Sequence, residues 1–301
     1  MTWDLRGKTV LITGAARGIG AETARRAAAA GANVALVGLE PDELQRVAAQ
    51  CGSNAAAFEC DVTDCQTLEH AVEGTVERFG GIDVVMANAG IAPAGMVRSV
   101  DPAAFERTIE INLRGVWRTV RASLPQVIER RGYVLVTASL AAAVHGAGMA
   151  AYSAAKAGAE AFADSLRTEV KHLGVDVGVA YFGFIDTDLV RASDTHPALG
   201  PLRANAGGLV AKTYPVSQVG KAVVEGMEER SRWVVVPRWG RAVLVLRTAL
   251  SPFFDKATAE TAAEADRLFQ QDVDTRGTEA ASAPIGPGGE AARQREAAGS
   301  R

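Results

Sequence analysis

The chain has 301 residues, 48% of them hydrophobic and 22% charged, with a formal net charge of −3. There is enough apolar chain for a sizeable core, and α/β folds of this length are often one domain. The mild negative charge gives no reason to expect nucleic acid or an anionic membrane as partner. Cys51, Cys60 and Cys65 are odd in number and lack metal-ligand or redox spacing, which fits a reduced, cytoplasmic protein without a metal site.

In chain order, short β-branched runs alternate with longer segments of helical period. "KTVLITG" reads as a strand entering a turn, not as a signal segment. Expected strands are Lys8–Thr13, Asn33–Gly38, Ala55–Glu59, Ile82–Ala87, Tyr133–Ala138, Asp176–Tyr181 and Trp233–Val236. Expected helices are Ile19–Ala30, Asp64–Phe79, Pro102–Arg131, Ala151–Leu173 and Val216–Glu229. This order predicts βαβ units, hence a seven-stranded parallel sheet, doubly wound, in one α/β domain over residues 1–240. Gly132–Ala155 carries no Lys, Arg, Asp or Glu, but Gly146, Gly148 and the polar Thr137, Ser139, His145 and Ser153 break it, so it reads as strand, loop and helix start. Phe184–Thr213, with two prolines and three glycines, reads as a substrate lid over 184–213. "WGRAVLVLRTALSPFF" (239–254) opens an apolar helical extension over 241–270, which could cap a pocket, join a dimer or touch a membrane surface. Residues 271–301, rich in Ala, Gly and Pro, read as a disordered tail.

"VLITGAARGIGAETARRAAAAG" is strand, glycine turn, helix. Gly14, Gly18 and Gly20 allow a tight turn and close backbone approach to a phosphate at the positive end of the following helix. Downstream come "CDVTD" (60–64), "ANAG" (87–90) and "INLRG" (111–115). Ser139 lies thirteen residues before Tyr152, and "YSAAK" sets Tyr152 and Lys156 four apart, on one helix face. Each has a plain structural alternative: a turn, a cap, a loop hydroxyl, a solvated lysine.

Together, and in this order, the motifs resemble the short-chain dehydrogenase/reductase family over about residues 5–240. The resemblance implies a Rossmann-type fold and an NAD(P)-dependent oxidoreductase that interconverts a secondary alcohol and a ketone. It implies a catalytic set of Asn112, Ser139, Tyr152 and Lys156, with Tyr152 as general acid/base, Ser139 on the substrate oxygen and Asn112 positioning a water. Lys156 would hold the nicotinamide ribose and pull the phenol pKa down, since a nearby ammonium favours phenolate. It places the cofactor against Gly14, Arg17, Gly18, Ile19 and Gly20, against Gly38 and Leu39, and against Asp61 and Val62 beside the adenine. Asn88, Ala89 and Gly90 would follow, then Gly183, Ile185 and Thr187 at the nicotinamide carboxamide, with Tyr152 and Lys156. Phe182 stands where the family has a proline.

Gly38 and Leu39 are neither acidic nor basic, so the end of the second strand does not follow either family pattern for choosing NAD or NADP. Glu40 could reach a ribose hydroxyl; Arg17 could meet an extra phosphate or stay solvated, and Gly38 leaves room for one. The balance is toward NADP over NAD. Leu140, Val144, His145, Met149, Phe182, Phe184 and Met96 are candidates for an apolar wall around a lipophilic substrate. The resemblance also implies a homodimer or homotetramer through the long helices. Two other classes stay open: a catalytically silent cofactor-binding sensor or scaffold, and an NAD-dependent epimerase or lyase.

Overall fold

The β-branched runs form seven strands: β1 Thr9–Thr13, β2 Asn33–Gly38, β3 Ala55–Glu59, β4 Val84–Ala87, β5 Tyr133–Thr137, β6 Asp176–Phe182 and β7 Trp233–Val236. They make one all-parallel sheet in the order β3-β2-β1-β4-β5-β6-β7. The structure is a computed structural model describing residues 3–206 and 208–299.

Side chains alternate across the pleat, and both faces are apolar. Val10, Ile12, Val34 and Leu36 face one core, where they meet Ala21, Ala24 and Ala27 of α1 (Gly18–Ala29), Leu44 and Val47 of α2 (Pro41–Cys51), and Val219, Val223 and Met227 of α10 (Val216–Glu228). Leu11, Ala35, Val37, Val85 and Val134 face the other, against α3 (Cys65–Phe79), α5 (Gly115–Glu129) and α6 (Ala150–Val170). Buried alanines on α6 (Ala155, Ala159, Ala163) let it lie close to the sheet. Helix α2 is additional to the helices expected above, although Pro41 at its start and the spacing of Leu44, Val47 and Ala48 are helical signals.

Three expectations need correction. Pro102–Arg131 is not one regular helix: α4 (Pro102–Ile109) passes through a π-helical turn at Glu110–Arg114 into α5. The 184–213 lid is helical in pieces: α7 (Asp188–Asp194), α8 (Leu199–Ala206) and α9 (Gly208–Ala211), with Gly207 outside the described residues. The C-terminal extension does not end near residue 270. Helix α11 runs Gly240–Arg276, followed by α12 (Thr278–Ala281) and α13 (Gly286–Gly299), so the tail is ordered up to the last two residues, which are not described. Its low hydrophobicity hid a few well-placed apolar residues: Ala281, Ile285 and Ala292 are all buried against the rest of the chain. Gly132–Ala155 is strand, turn and helix start, and among the described residues no helix is long and apolar enough to cross a membrane.

Gly178 on β6 lies between Tyr133 of β5, whose hydroxyl donates to Ser231 O at 2.7 Å, and that carbonyl itself. A Cβ there would overlap both atoms. Gly178→Ala should therefore lower stability by about 1–3 kcal/mol, read as a shifted urea midpoint. An unchanged midpoint would show that the β5–β7 bridge yields freely.

Candidate active site

The chain leaves β1 for β2 on one side and reaches β4 on the other, so the strand order reverses between β1 and β4. A crevice at the carboxyl ends of the strands is expected at such a point. One cavity opens there, bounded by the turns after β1, β2, β4, β5 and β6.

The glycine turn forms its floor. Gly14 (φ 66°) and Gly18 (φ 54°) are in the left-handed region that favours glycine. A Cβ on Gly20 would overlap Gly14 O, and one on Gly14 would lie 2.9 Å from Ala89 Cα. Helix α1 starts at Gly18 without a side-chain cap and with no acidic residue in its first turn, so its N–H groups face the cavity end unopposed. That is a fit for a diphosphate. Asn88 holds the turn in place: its Nδ2 donates to Thr13 O at 3.0 Å, while Thr13 Oγ1 accepts from Asn88 N (3.0 Å) and Ala89 N (3.2 Å). Its side chain therefore serves the backbone, and Ala89 and Gly90 lie beside it on the cavity wall.

Ser139, Tyr152 and Lys156 line the same cavity. Lys156 Nζ lies 5.7 Å from the Tyr152 ring centre and donates to Thr137 O at 2.9 Å. Ser139 Oγ accepts from Ala141 N at 3.1 Å and donates to Phe182 O at 3.3 Å, which fixes it at the end of β5. Asn112 does not line the cavity; it lies behind it. The π-helical turn re-aims its amide so that Oδ1 accepts from Ile91 N and Nδ2 donates to Ile91 O, both at 2.8 Å. Such a turn inside a helix often marks a functional position. A Cβ on Gly90 would lie 3.1 Å from Asn112 Oδ1 and 3.5 Å from Lys156 Nζ, so both side chains reach close to this backbone.

The electrostatics differ from the expectation that the ammonium sets the phenol. Burial is the larger influence and pushes Tyr152 up, with the Ser139 hydrogen bond pulling it partly back. Burial also lowers Lys156, to about 8. At neutral pH the tyrosine is thus a phenol, and the lysine remains mostly cationic without a carboxylate partner.

At the far end, Gly38, Leu39, Asp61 and Val62 line the cavity as expected. Asp61 Oδ1 accepts from Thr63 N and Oγ1 at 2.8 and 2.7 Å. Arg17 is neither solvated nor open for a phosphate. Its Nε donates to Glu40 Oε2 at 3.0 Å, a second bond joins the same carboxylate, and Nη1 reaches Asp188 Oδ2 at 3.2 Å. These two carboxylates hold its charge and raise its pKa further.

Ile19, Gly183, Ile185 and Thr187 are on the wall, Thr187 also capping α7 by accepting from Val190 N at 3.5 Å. Of the apolar wall candidates only Phe182 lines the cavity. His145 is exposed, Leu140 is buried in the sheet core, and Phe184 stacks beneath Arg203 with 4.1 Å to its ring centre. Met96 packs outside, against Phe269 and Ile285; Val144 and Met149 are half-buried off the wall. Their places are taken by Ile91, Leu189 and Val190 and by tail residues Ile285–Gly289 and Ala292. Sequence reasoning missed the tail because a Gly-Pro-Gly-Gly run has no periodicity to announce a partner.

Residues 8–198 match the family model described as short chain dehydrogenase. The 3-oxoacyl-(acyl-carrier-protein) reductase FabG of Escherichia coli is 34% identical over 190 residues, 63% of this chain and 78% of the relative. Short-chain dehydrogenase reductase 4 of Arabidopsis thaliana is 36% identical over 224 residues, 71% of this chain and 75% of the relative. Among solved structures, a short chain dehydrogenase/reductase of Burkholderia phymatum in complex with NAD superposes with a TM-score of 0.74 at 20% identity, covering 83% of this chain and 96% of that one. A 3-ketoacyl-(acyl-carrier-protein) reductase of Brucella melitensis complexed with NADH gives 0.68 at 25%, covering 77% and 97%.

Because Lys156 is buried and its folded pKa is depressed, its burial penalty is full below about pH 8 and is relieved as pH rises toward 10.5, the ordinary lysine value. Lys156→Met should therefore be more stable than the parent at pH 7, with the gain shrinking across that window. Paired urea melts at pH 7 and pH 10 measure it; an equal difference at both would refute the assignment.

Proposed function

This chain belongs to the short chain dehydrogenase family, and on that premise we propose that it interconverts a lipophilic secondary alcohol and its ketone with Tyr152 as general acid/base. It is an NAD(P)-dependent oxidoreductase acting on CH–OH and C=O groups. The observation that carries the finer reading is the convergence of Ser139, Tyr152 and Lys156 on the cavity whose floor is the Gly14–Gly20 turn.

When bound, the nicotinamide supplies or accepts hydride. The chain's own residues manage the proton. Tyr152 donates it to the carbonyl oxygen in reduction and takes it back in oxidation. Ser139 Oγ is held by Ala141 N, and its one hydroxyl hydrogen, turned from Phe182 O into the cavity, stabilises charge on that oxygen or on the phenolate. The Lys156 ammonium gains a nearby anion once Tyr152 has given up its proton, which offsets its burial penalty in that state and not before. Asn112 positions the Ile91 backbone from behind. A phenol kept protonated at neutral pH is in the state that donates in reduction.

The pairing of Arg17 with Glu40 and Asp188 moves the cofactor reading from NADP to NAD(H). An extra ribose phosphate would have to displace two carboxylates and lie beside them, whereas ribose hydroxyls can donate to Glu40. The Brucella melitensis reductase, with its NADH, supports this choice. The wall residues Ile91, Phe182, Leu189, Val190 and Ile285 suit an apolar substrate. We place the oligomer contact on α5, where Trp117 is exposed.

Tyr152→Phe should reduce kcat by at least about 100-fold while leaving NADH affinity within a few-fold. Retained turnover would remove Tyr152 from its role. Titration of nicotinamide fluorescence should show NADH binding tighter than NADPH, and Glu40→Ala should narrow the gap by freeing Arg17. Tighter NADPH binding by the unaltered chain would overturn the NAD(H) reading.

A further inference from the structure

The tail follows the cavity along its whole length. At the catalytic end, Ile285 lines the wall and its N–H donates to Ala92 O at 3.4 Å, next to the Ile91 that Asn112 holds. In the middle, a Cβ on Gly286 would lie 3.3 Å from Leu189 Cα of α7, and one on Gly288 would lie 3.9 Å from Arg17 Cδ. At the other end, Pro287, Glu290 and Arg295 flank a side opening together with Leu39 and Glu40, and Arg295 Nη1 reaches Glu59 Oε1 at 3.4 Å. The segment thus passes from the tyrosine end, over the phosphate turn, to the ribose-selecting end.

We infer that residues 285–295 form a strap that closes over the bound dinucleotide, so that cofactor exchange requires the strap to open. This rests on the dinucleotide occupying the cavity as proposed above. A plug would fill the phosphate turn with bulk. Instead the residues over it are Gly286, Pro287, Gly288 and Gly289, which cover the space and leave it empty. The single large apolar side chain of the strap, Ile285, belongs to a small separate core with Ala94, Ala198 and Phe269, where lid and extension meet.

Apart from the buried Ile285 and Ala292 and the packing of α13 on α7, the described attachments are polar. Arg107 on α4 donates to Ala292 O at 2.8 Å and pairs with Glu296 at 3.4 Å. Ser282 Oγ accepts from Asp101 N at 2.9 Å. The Arg295–Glu59 pair is half-exposed and contributes little. Gly277 and Gly286, both at positive φ, flank the α12 segment and can absorb a hinge motion. A segment held this lightly opens more readily than the sheet it covers.

Three chains are compared with the full-length protein: one truncated after Gly277, Arg107→Leu, and Gly288→Leu. The readouts are NADH fluorescence titration and stopped-flow release of bound NADH. Truncation should weaken NADH binding about tenfold, nearly all of it as faster release. Arg107→Leu should act in the same direction by a few-fold in a chain that keeps its tail. Gly288→Leu should weaken binding by placing a side chain where the cofactor passes Arg17. In the full chain, NADH should slow tryptic cleavage after the exposed Arg293 and Arg295. Unchanged release in Arg107→Leu together with unchanged proteolysis overturns the strap. So does tighter NADH binding after truncation, which would make the segment a plug. Failure of the full-length chain to bind either nucleotide, while the truncated chain binds, also identifies a plug; failure of both chains overturns the dinucleotide reading itself.

Discussion

The absence of a side chain at Gly20 is the constraint from which the site follows. Its Cβ would overlap Gly14 O, so with any larger residue α1 could not start where it does, directly above the end of β1. That start aims the helix's uncapped N–H groups into the cavity. It also brings Gly14 against Ala89, which lets Thr13 and Asn88 bind the ends of β1 and β4 together at the reversal of strand order. Because β4 is held there, Ile91 can be gripped by Asn112, and the lysine can stand behind Gly90.

Lys156 shows what this arrangement costs. A buried ammonium whose only described hydrogen-bond partner is the Thr137 carbonyl destabilises the fold at neutral pH. The same unmet charge is what favours a phenolate beside it during turnover. Stability and proton transfer draw on one electrostatic field in opposite senses, as active sites commonly do. Tyr152 behaves consistently: burial holds its proton until a substrate oxygen demands it, and Ser139 limits how tightly it is held.

The roof is built differently from the floor. The floor comes from strand ends and one helix start, close in space because the sheet is regular. The roof joins residues near 94, 198, 269 and 285, which are distant in sequence and meet in a small core of their own. Glu160 fastens the extension to the body, accepting two bonds from Arg247 at 2.9 Å and one from Tyr181 at 2.9 Å. Between lid and extension, His196 lies 3.6 Å from Asp272, whose carboxylate pairs with Arg276. Rigid floor and lightly held roof fit a site that must position its reactants and still release them.

Short-range rules made much of this legible from the amino acids alone. Short apolar, mostly β-branched runs marked all seven strands, because a strand's burial is written in its own residues. The Gly14, Gly18 and Gly20 spacing marked the phosphate turn, because only glycine accepts those dihedrals and contacts. Tyr152 and Lys156 stand four apart on one helix, and that spacing alone puts them on one face. Tertiary structure decided the rest. The π-helical turn that aims Asn112 depends on the Ile91 backbone waiting for it. Arg17 became a partner of Glu40 and Asp188 only when folding brought together residues 23 and 171 positions away. The phenol's proton affinity reversed its expected direction because burial, which no local pattern reports, outweighs the Ser139 hydrogen bond. The tail became a wall because Ile285 and Ala292 met surfaces that exist only in the folded chain, so composition alone could not register them.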